Sequence, residues 1–344
     1  MTTLGVIVPC RNEAAVIERK LRNLAACEWP ERGAPHDLIV VDDGSSDGTA
    51  QHANRELIHF DALRVRVRVR VVANALRAGK GGAIESGLRE LRPEVALVVL
   101  TDADVVVAHG ALTAFARAFE AEPRLAMASG AQRFVVQVPE EGSPAAPRSD
   151  AALYDRFANA VRALESRLGL LFSVQGQWMA WRRELELHPT PNVAADDLDL
   201  MLQVRCKGGV IRRVAGAEFF EMRAPRGAER ERQSVRRARA FVQFLRHPRI
   251  AELRTAGGWL ARRQARAYLR AARPSAAWSV VPLLATGLAG LWWGPRAALA
   301  VISVLGALGA PLWVLLRIVR SRIEVAQSLE ARQALGEAWE TARR

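Results

Sequence analysis

Residues 37–49 read DLIVVDDGSSDGT. Four apolar residues, Leu38 to Val41, run into two adjacent carboxylates, Asp42 and Asp43, and then into a Gly/Ser stretch where the backbone must turn. A short continuous apolar run bounded by turn residues is the pattern of a strand buried on both faces. Thr49–Glu56 follows as a helix, with Ser46 or Asp47 placed to cap it. Upstream, Gly5–Val8 is a second apolar strand that leads into Arg11-Asn12-Glu13. Glu13–Ala26 then shows helical spacing through Val16, Ile17, Leu21 and Leu24. Downstream, Leu63–Val72 alternates Arg with apolar residues at period two, as a half-buried edge strand with a solvated basic face does. Gly82–Glu90 reads as a helix and Val95–Leu100 as a strand ending in Thr101-Asp102-Ala103-Asp104. This alternation predicts an α/β fold with a mostly parallel sheet and helices on its faces. In open sheets of that kind ligands sit beyond the carboxyl ends of the strands, where these acids fall. Pro139–Ser149 reads as a loop between two halves, and no internal repeat is visible.

The chain has 344 residues, half of them hydrophobic and a quarter charged, which excludes wholesale disorder. Its net charge is +13, and residues 227–274 hold 13 Arg against 3 Glu, a net of +10. Positive charge so localised predicts an anionic surface beside that stretch. Residues 276–293 (AAWSVVPLLATGLAGLWW) and 297–316 (AALAVISVLGALGAPLWVLL) carry no charge, and Trp278, Trp292, Trp293 and Trp313 lie near their ends. Each is about as long as a helix that crosses ~30 Å of hydrocarbon, so the pair predicts a transmembrane hairpin. Arg262, Arg263, Arg266, Arg270 and Arg273 precede it and Arg317, Arg320 and Arg322 follow it. The positive-inside rule then puts both flanks, and everything upstream, on the cytoplasmic side of the inner membrane. The expected organisation is a catalytic domain over 1–226, basic interfacial helices over 227–274, a two-span hairpin over 275–317 and a cytoplasmic helix over 318–344. Lipid headgroups suit the basic region better than nucleic acid, because it lacks interleaved aromatics and adjoins a span. Cys10, Cys27 and Cys206 are far apart with no metal spacing, so neither a disulfide scaffold nor a zinc site is expected. MTTLGVIVPC has no basic n-region, so no signal peptide is expected.

Three clusters could carry chemistry. Asp102-x-Asp104 at a strand end places two carboxylates about 7 Å apart on one side of an extended backbone. Hard cations such as Mg²⁺ or Mn²⁺ take oxygen ligands and commonly keep waters and substrate phosphates in their remaining positions. Asp42 and Asp43 before Gly-Ser-Ser offer acceptors for ribose hydroxyls or a base NH. Lys80, glycine-flanked at a helix start, suits an anionic ligand. Asp196, Asp197 and Asp199 open an amphipathic helix, where they either satisfy its dipole or include a general base. Trp178 and Trp181 are equally compatible with core packing and with a pocket.

Taken together, VIVPCRNEAAVI, VVDDGSSDGT, GKGGAI, TDADV, QGQWMAWRREL and ADDLDL resemble, in order and rough spacing, the family-2 inverting glycosyltransferases of the GT-A (Rossmann-like) fold. The likeness covers about residues 4–245 and extends to the membrane-attached members. It implies that Pro9, Arg11 and Glu13 lie against the nucleotide, that Asp42 and Asp43 hold base and ribose, and that Lys80 serves the next nucleotide-binding loop. It further implies Asp102 and Asp104 as the D-x-D motif, with Asp104 a direct ligand of Mg²⁺ or Mn²⁺. Asp197 falls at the position of the general base, preceded by Asp196 where the family has Glu. Gln175, Gln177 and Trp178 would line the sugar or acceptor pocket. Gln233 and Arg236 fall on a Q-x-x-R-W element near acceptor and diphosphate, with Arg237 replacing its Trp. The implied activity is sugar transfer from a nucleotide-sugar donor, a UDP-sugar first, to a membrane-held lipid acceptor. Two spans cannot enclose a polymer channel. The rival expectations are a catalytic subunit of a multi-component polysaccharide machine and a non-catalytic nucleotide-binding membrane regulator.

Overall fold

The computed structural model describes residues 2–222 except 31–34, 62, 64, 140–148, 150–152, 192 and 194, together with 244, 248–255, 259, 262 and 266. Met1–Pro225 with His247–Gln264 form one compact unit, and Arg226–Arg246 with Ala265–Arg344 a second. All the strands and helices named below belong to the first. In chain order they are β1 (Leu4–Cys10), α1 (Ala14–Ala25), β2 (His36–Asp42), α2 (Thr49–Arg55), α3 (Ile58–Asp61), β3 (Val67–Ala73) and α4 (Lys80–Glu90). Then come β4 (Leu97–Thr101), β5 (Val106–Val107), α5 (Ala111–Ala121), β6 (Leu125–Val135), α6 (Leu153–Arg167), β7 (Trp178–Arg182), α7 (Asp196–Cys206), β8 (Val210–Met222) and α8 (Pro248–Thr255).

Among the described residues these strands form one sheet in the order β3-β2-β1-β4-β7-β6-β8-β5. The first four are parallel, with Ile7 opposite Ile39 on one side and Leu100 on the other. Their apolar runs are buried throughout, as strands covered on both faces must be: Val6, Ile7, Val8, Leu38–Val41 and Val98–Leu100 are inaccessible. The chain winds outward through β2 and β3 and then crosses to the other side of β1 for β4. The carboxyl ends of β1 and β4 therefore flank a topological switch point, the place where open sheets of this kind form a ligand crevice.

Beyond β4 the expectation of a mostly parallel sheet gives way to a mixed one. β7 is antiparallel to β4 and β6, β6 and β8 are parallel, and β5 is antiparallel to β8. The reversal has a positional consequence. Because Trp178 pairs with Thr101, β7 begins where β4 ends, and the segment before β7 is delivered to the Asp102 loop.

The basic face expected on the edge strand is ion-paired rather than simply solvated. Arg68 on β3 and Arg92 after α4 both grip Asp37 of β2, each guanidinium donating to it at 2.8–2.9 Å. Arg92 N also donates to Asp37 Oδ2 at 2.8 Å, and Arg70 pairs with Glu90. Among the described residues no helix is long and apolar enough to cross a membrane, and the segments 276–293 and 297–316 lie outside them.

Asp37 is wholly buried and lies at the amino end of β2, away from the crevice. Removing one partner of a buried pair strands the others, at a cost of about 3–5 kcal/mol. The lower end applies here, because both guanidinium groups stay about a third exposed. Asp37→Ala is thus expected to lower the urea midpoint by about 3 kcal/mol equivalent while leaving ligand binding at the crevice intact below the transition. A variant with an unchanged midpoint would contradict this account of the edge.

Candidate active site

Parallel pairing brings the loops after β1, β2 and β4 to one edge of the sheet. In the first, Asn12 adopts φ 56, a left-handed conformation that Asn tolerates better than most residues. That turn lets Asn12 N donate to Ser45 Oγ at 2.9 Å while its side-chain oxygen accepts Ser46 N at 2.9 Å. Asp47 accepts Ala14 N at 3.0 Å and Thr49 N at 3.1 Å, so it serves the starts of both α1 and α2, although Gly48 occupies the α2 cap itself. Ser46 caps neither. The two loops are therefore one hydrogen-bonded unit.

Within it, Asp42 accepts from the backbone N and the hydroxyl of Ser45. Asp43 receives Asn74 Nδ2 at 2.6 Å and Gly79 N at 2.7 Å, with the exposed Arg11 guanidinium 3.9 Å away. Asn74, just past β3, also donates to Arg77 O at 2.8 Å and accepts from Leu76 N at 3.1 Å and Ser86 Oγ at 2.8 Å. One amide thus ties Asp43 to the loop that carries Lys80. That loop needs glycine: a Cβ on Gly82 would lie 1.7 Å from Arg77 O.

Lys80 opens α4 and reaches into the acids. Its Nζ lies 2.6 Å from Asp102 Oδ1 and 3.7 Å from Asp196 Oδ2. Burial works against the Lys80 ammonium, yet Asp102, Asp196, the hydrogen bond to Asp102 and Asp197 hold its pKa well above the usual lysine value. The carboxylates move the other way. Desolvation, then the adjacent Asp196, push Asp197 up to about 6, with Lys80 opposing the rise. Asp196 is raised by burial, against the pull of Lys80, and its Oδ2 has no hydrogen-bond partner among the described residues. Desolvation and Asp102 raise Asp104; desolvation, Asp104 and Asp102 raise Glu13.

The third acid of α7 does different work. Asp199 is fully buried and accepts Thr190 N at 2.8 Å, Thr190 Oγ1 at 3.0 Å and Gln203 Nε2 at 3.1 Å, with Arg249 of α8 3.4 Å away. It braces the approach to α7, leaving Asp196 and Asp197 to face Lys80.

The segment before β7 closes the group. Asp102 N donates to Gln177 O at 3.1 Å, and a Cβ on Gly176 would lie 2.7 Å from the Cβ of Asp197. Gln177 Nε2 donates to Glu221 Oε2 at 3.0 Å, and Gln175 N donates to Ser129 Oγ at 2.9 Å. Trp178 and Trp181 are core residues, with Trp178 buried against Phe115 at 5.1 Å between ring centroids. Its indole is therefore sealed in the sheet rather than lining a pocket. Pro9 is a buried position of β1 opposite Val41. Gln233, Arg236 and Arg237 lie outside the described residues.

The structure thus gathers Glu13, Lys80, Asp102, Asp104, Asp196 and Asp197, and joins Asp42, Asp43 and Arg11 beside them. Asn12, Asn74 and Gly176 complete the frame without having been singled out in the sequence. Asn12 and Gly176 lie inside the quoted motifs and Asn74 between two of them, and an Asn within two residues of a strand's end is the signal that would have drawn attention to Asn12 and Asn74.

A divalent cation fits this donor set. Among the described residues no group of three or more Cys, His, Asp or Glu could hold a metal ion by itself, so a cation here would depend on ligands beyond the protein. Paired carboxylates whose mutual repulsion is only partly relieved by one lysine suit an ion that draws its remaining ligands from phosphate and water.

Residues 2–240 match the family model described as glycosyltransferase like family 2. Poly-beta-1,6-N-acetyl-D-glucosamine synthase of Staphylococcus epidermidis is 26% identical over 130 residues, 38% of this chain and 28% of that protein. Beta-monoglucosyldiacylglycerol synthase of Trichormus variabilis is 33% identical over 120 residues, 35% of this chain and 24% of that protein. The matches thus span about a quarter of these curated relatives. A mannosyltransferase from Pyrobaculum calidifontis, solved with GDP-Man and Mn²⁺, is 25% identical with a TM-score of 0.53, covering 88% of this chain and 86% of that one. S. aureus TarS 1-349 with UDP-GlcNAc shares the fold at 16% identity and a TM-score of 0.51, covering 97% and 92%.

Because Lys80 favours the charged form of Asp197, Lys80→Met is expected to move the Asp197 midpoint above about 6. Carboxyl ¹³C NMR across pH 4–9 (about that range suffices) reads this directly, and a midpoint unmoved by the substitution would break the electrostatic link between the two loops.

Proposed function

Since the chain belongs to glycosyltransferase-like family 2, we propose that it is a divalent-metal-dependent inverting transferase that moves a sugar from a nucleotide-sugar donor to a lipid acceptor at the membrane surface. The chain is a glycosyltransferase with a mixed α/β sheet of the GT-A kind. The observation that carries the finer reading is the convergence of Asp102 and Asp196 on Lys80, with Asp197, next to Asp196, raised to about 6.

In this reading the 42–48 loop, held by Asn12 and Asn74, binds base and ribose through Asp42 and Asp43. Asp104 and Asp102 would hold Mg²⁺ or Mn²⁺, which when bound supplies positive charge against the departing diphosphate. Lys80 adds a fixed positive charge beside it. Asp197 takes the proton of an acceptor hydroxyl as that oxygen bonds to the anomeric carbon. The bond from that carbon to the diphosphate breaks on the opposite face, and the configuration inverts. A base with a pKa near 6 is ionised at neutral pH yet basic enough to accept the proton.

Several features support a lipid acceptor. The apolar segments at 276–293 and 297–316 are flanked by Arg, and the basic 227–274 region adds roughly 1 kcal/mol of attraction per Arg close to an anionic leaflet. A relative named as a beta-monoglucosyldiacylglycerol synthase is 33% identical over 120 residues. The proposed location is the cytoplasmic face of the inner membrane, with a UDP-sugar as the first donor to try and GDP-mannose the second. The relative named as a poly-N-acetylglucosamine synthase favours a second reading, a catalytic subunit that needs partner spans to make polymer.

Detergent-solubilised full-length chain should release nucleoside diphosphate from one donor in the presence of Mn²⁺ or Mg²⁺ and membrane lipid extract. Asp104→Ala should abolish release, and Asp197→Ala should lower turnover by about 10²–10⁴. In wild type kcat/KM should climb as pH rises through about 6, since the base acts only when unprotonated, and stay flat above. Release that is independent of lipid, or equal in all three proteins, would sink the proposal.

A further inference from the structure

A full charge is buried beneath the Asp102–Asp104 turn. Lys20, midway along α1, is 1% exposed, and its Nζ donates to Thr101 Oγ1 at 2.6 Å and to Val105 O at 3.0 Å. Those two residues bracket Asp102-Ala103-Asp104. One turn further along the same helix face, Asn23 exchanges two hydrogen bonds with the backbone of Val107, at 2.9 and 2.8 Å. We propose that Lys20 is a positioning residue for the acid pair: one ammonium holds both ends of the turn from the core side, fixing where the two carboxylates emerge.

Packing alone does not account for it. Burying an ammonium is costly, and here burial lowers the Lys20 pKa to about 8 despite help from Cys27, Asp102 and Asp104. A methionine would fill the same space next to Trp178, whose ring centroid is 5.9 Å from the Nζ, without that cost. Composition points the same way. The chain uses Arg 46 times and Lys only 3 times, and two of those three lysines, Lys20 and Lys80, flank this turn. A hydroxyl and a carbonyl converging on one buried point suit a compact ammonium rather than a planar guanidinium fork.

The inference rests on the reading that Asp102 and Asp104 face the ion and the diphosphate, and its test separates the two. Mn²⁺ binding to the full-length chain, followed by electron paramagnetic resonance with and without UDP, is compared among wild type, Lys20→Met, Lys20→Arg, Thr101→Val and Asp104→Ala, with a thermal melt for each. Affinity should fall at least tenfold in Lys20→Met, and several-fold in the near-isosteric Thr101→Val, which tests the clamp even should Lys20→Met not fold. Lys20→Arg should fail to restore it, and the acceptor KM of Thr101→Val should match wild type. Either folded variant binding Mn²⁺ and UDP as tightly as wild type overturns the role of Lys20. Undiminished binding in Asp104→Ala overturns instead the reading of the acid pair on which that role depends.

Discussion

Everything at the crevice depends on Lys80 standing among carboxylates. Like charges about 4 Å apart repel by about 4 kcal/mol at an effective dielectric of 20, so acids do not crowd one sheet edge without a cation between them. The Lys80 ammonium, 2.6 Å from Asp102 and 3.7 Å from Asp196, binds the loop after β4 to the start of α7. Its compensation is partial: Asp104, Asp196, Asp197 and Glu13 all remain raised. Burial first, and the neighbouring acids after it, keep Asp197 more basic than an ordinary aspartate, and the crowding of carboxylates that remains suits the cluster to a further cation.

The fold makes this crowding possible by mixing two kinds of strand pairing. Parallel pairing of β3, β2, β1 and β4 sends three acidic loops to one edge. Antiparallel β7 then starts at that same edge, so Gln177 O meets Asp102 N and Gly176 lies against Asp197. Hydrogen bonds within the loops supply the rigidity a site needs. Asn12 links the first two, Asn74 links the second to α4, and Asp199 secures the approach to α7 from below.

Much of this was legible in the sequence because buried parallel strands are apolar throughout and their loops carry the acids. DLIVVDDGSSDGT gave both a strand and its site residues, and the helix and strand limits around it differ by only a few positions. What the sequence left open were questions of direction. Period and composition do not tell whether a strand such as β7 runs up or down, so the mixed half of the sheet was not visible. Nor do they tell which of three acids in a helix's first turn points at a neighbour: Asp199 turned inward while Asp196 and Asp197 turned to Lys80. Trp178 posed the same question, and the small residue opposite it decides the answer. A Cβ on Gly130 would lie 2.2 Å from the indole, so β6 leaves the space in which Trp178 is buried. The Arg of β3 read as a free basic face because their partners, Asp37 and Glu90, are distant in sequence.

The proposed single base at Asp197 has one stereochemical consequence. The most direct check is the anomeric configuration of the first product, read by ¹H NMR before any spontaneous equilibration. The account predicts a configuration opposite to that of the donor sugar. Retention would contradict it, because retention requires either a second displacement or front-face attack, and in neither case would Asp197 act as the lone base proposed for it.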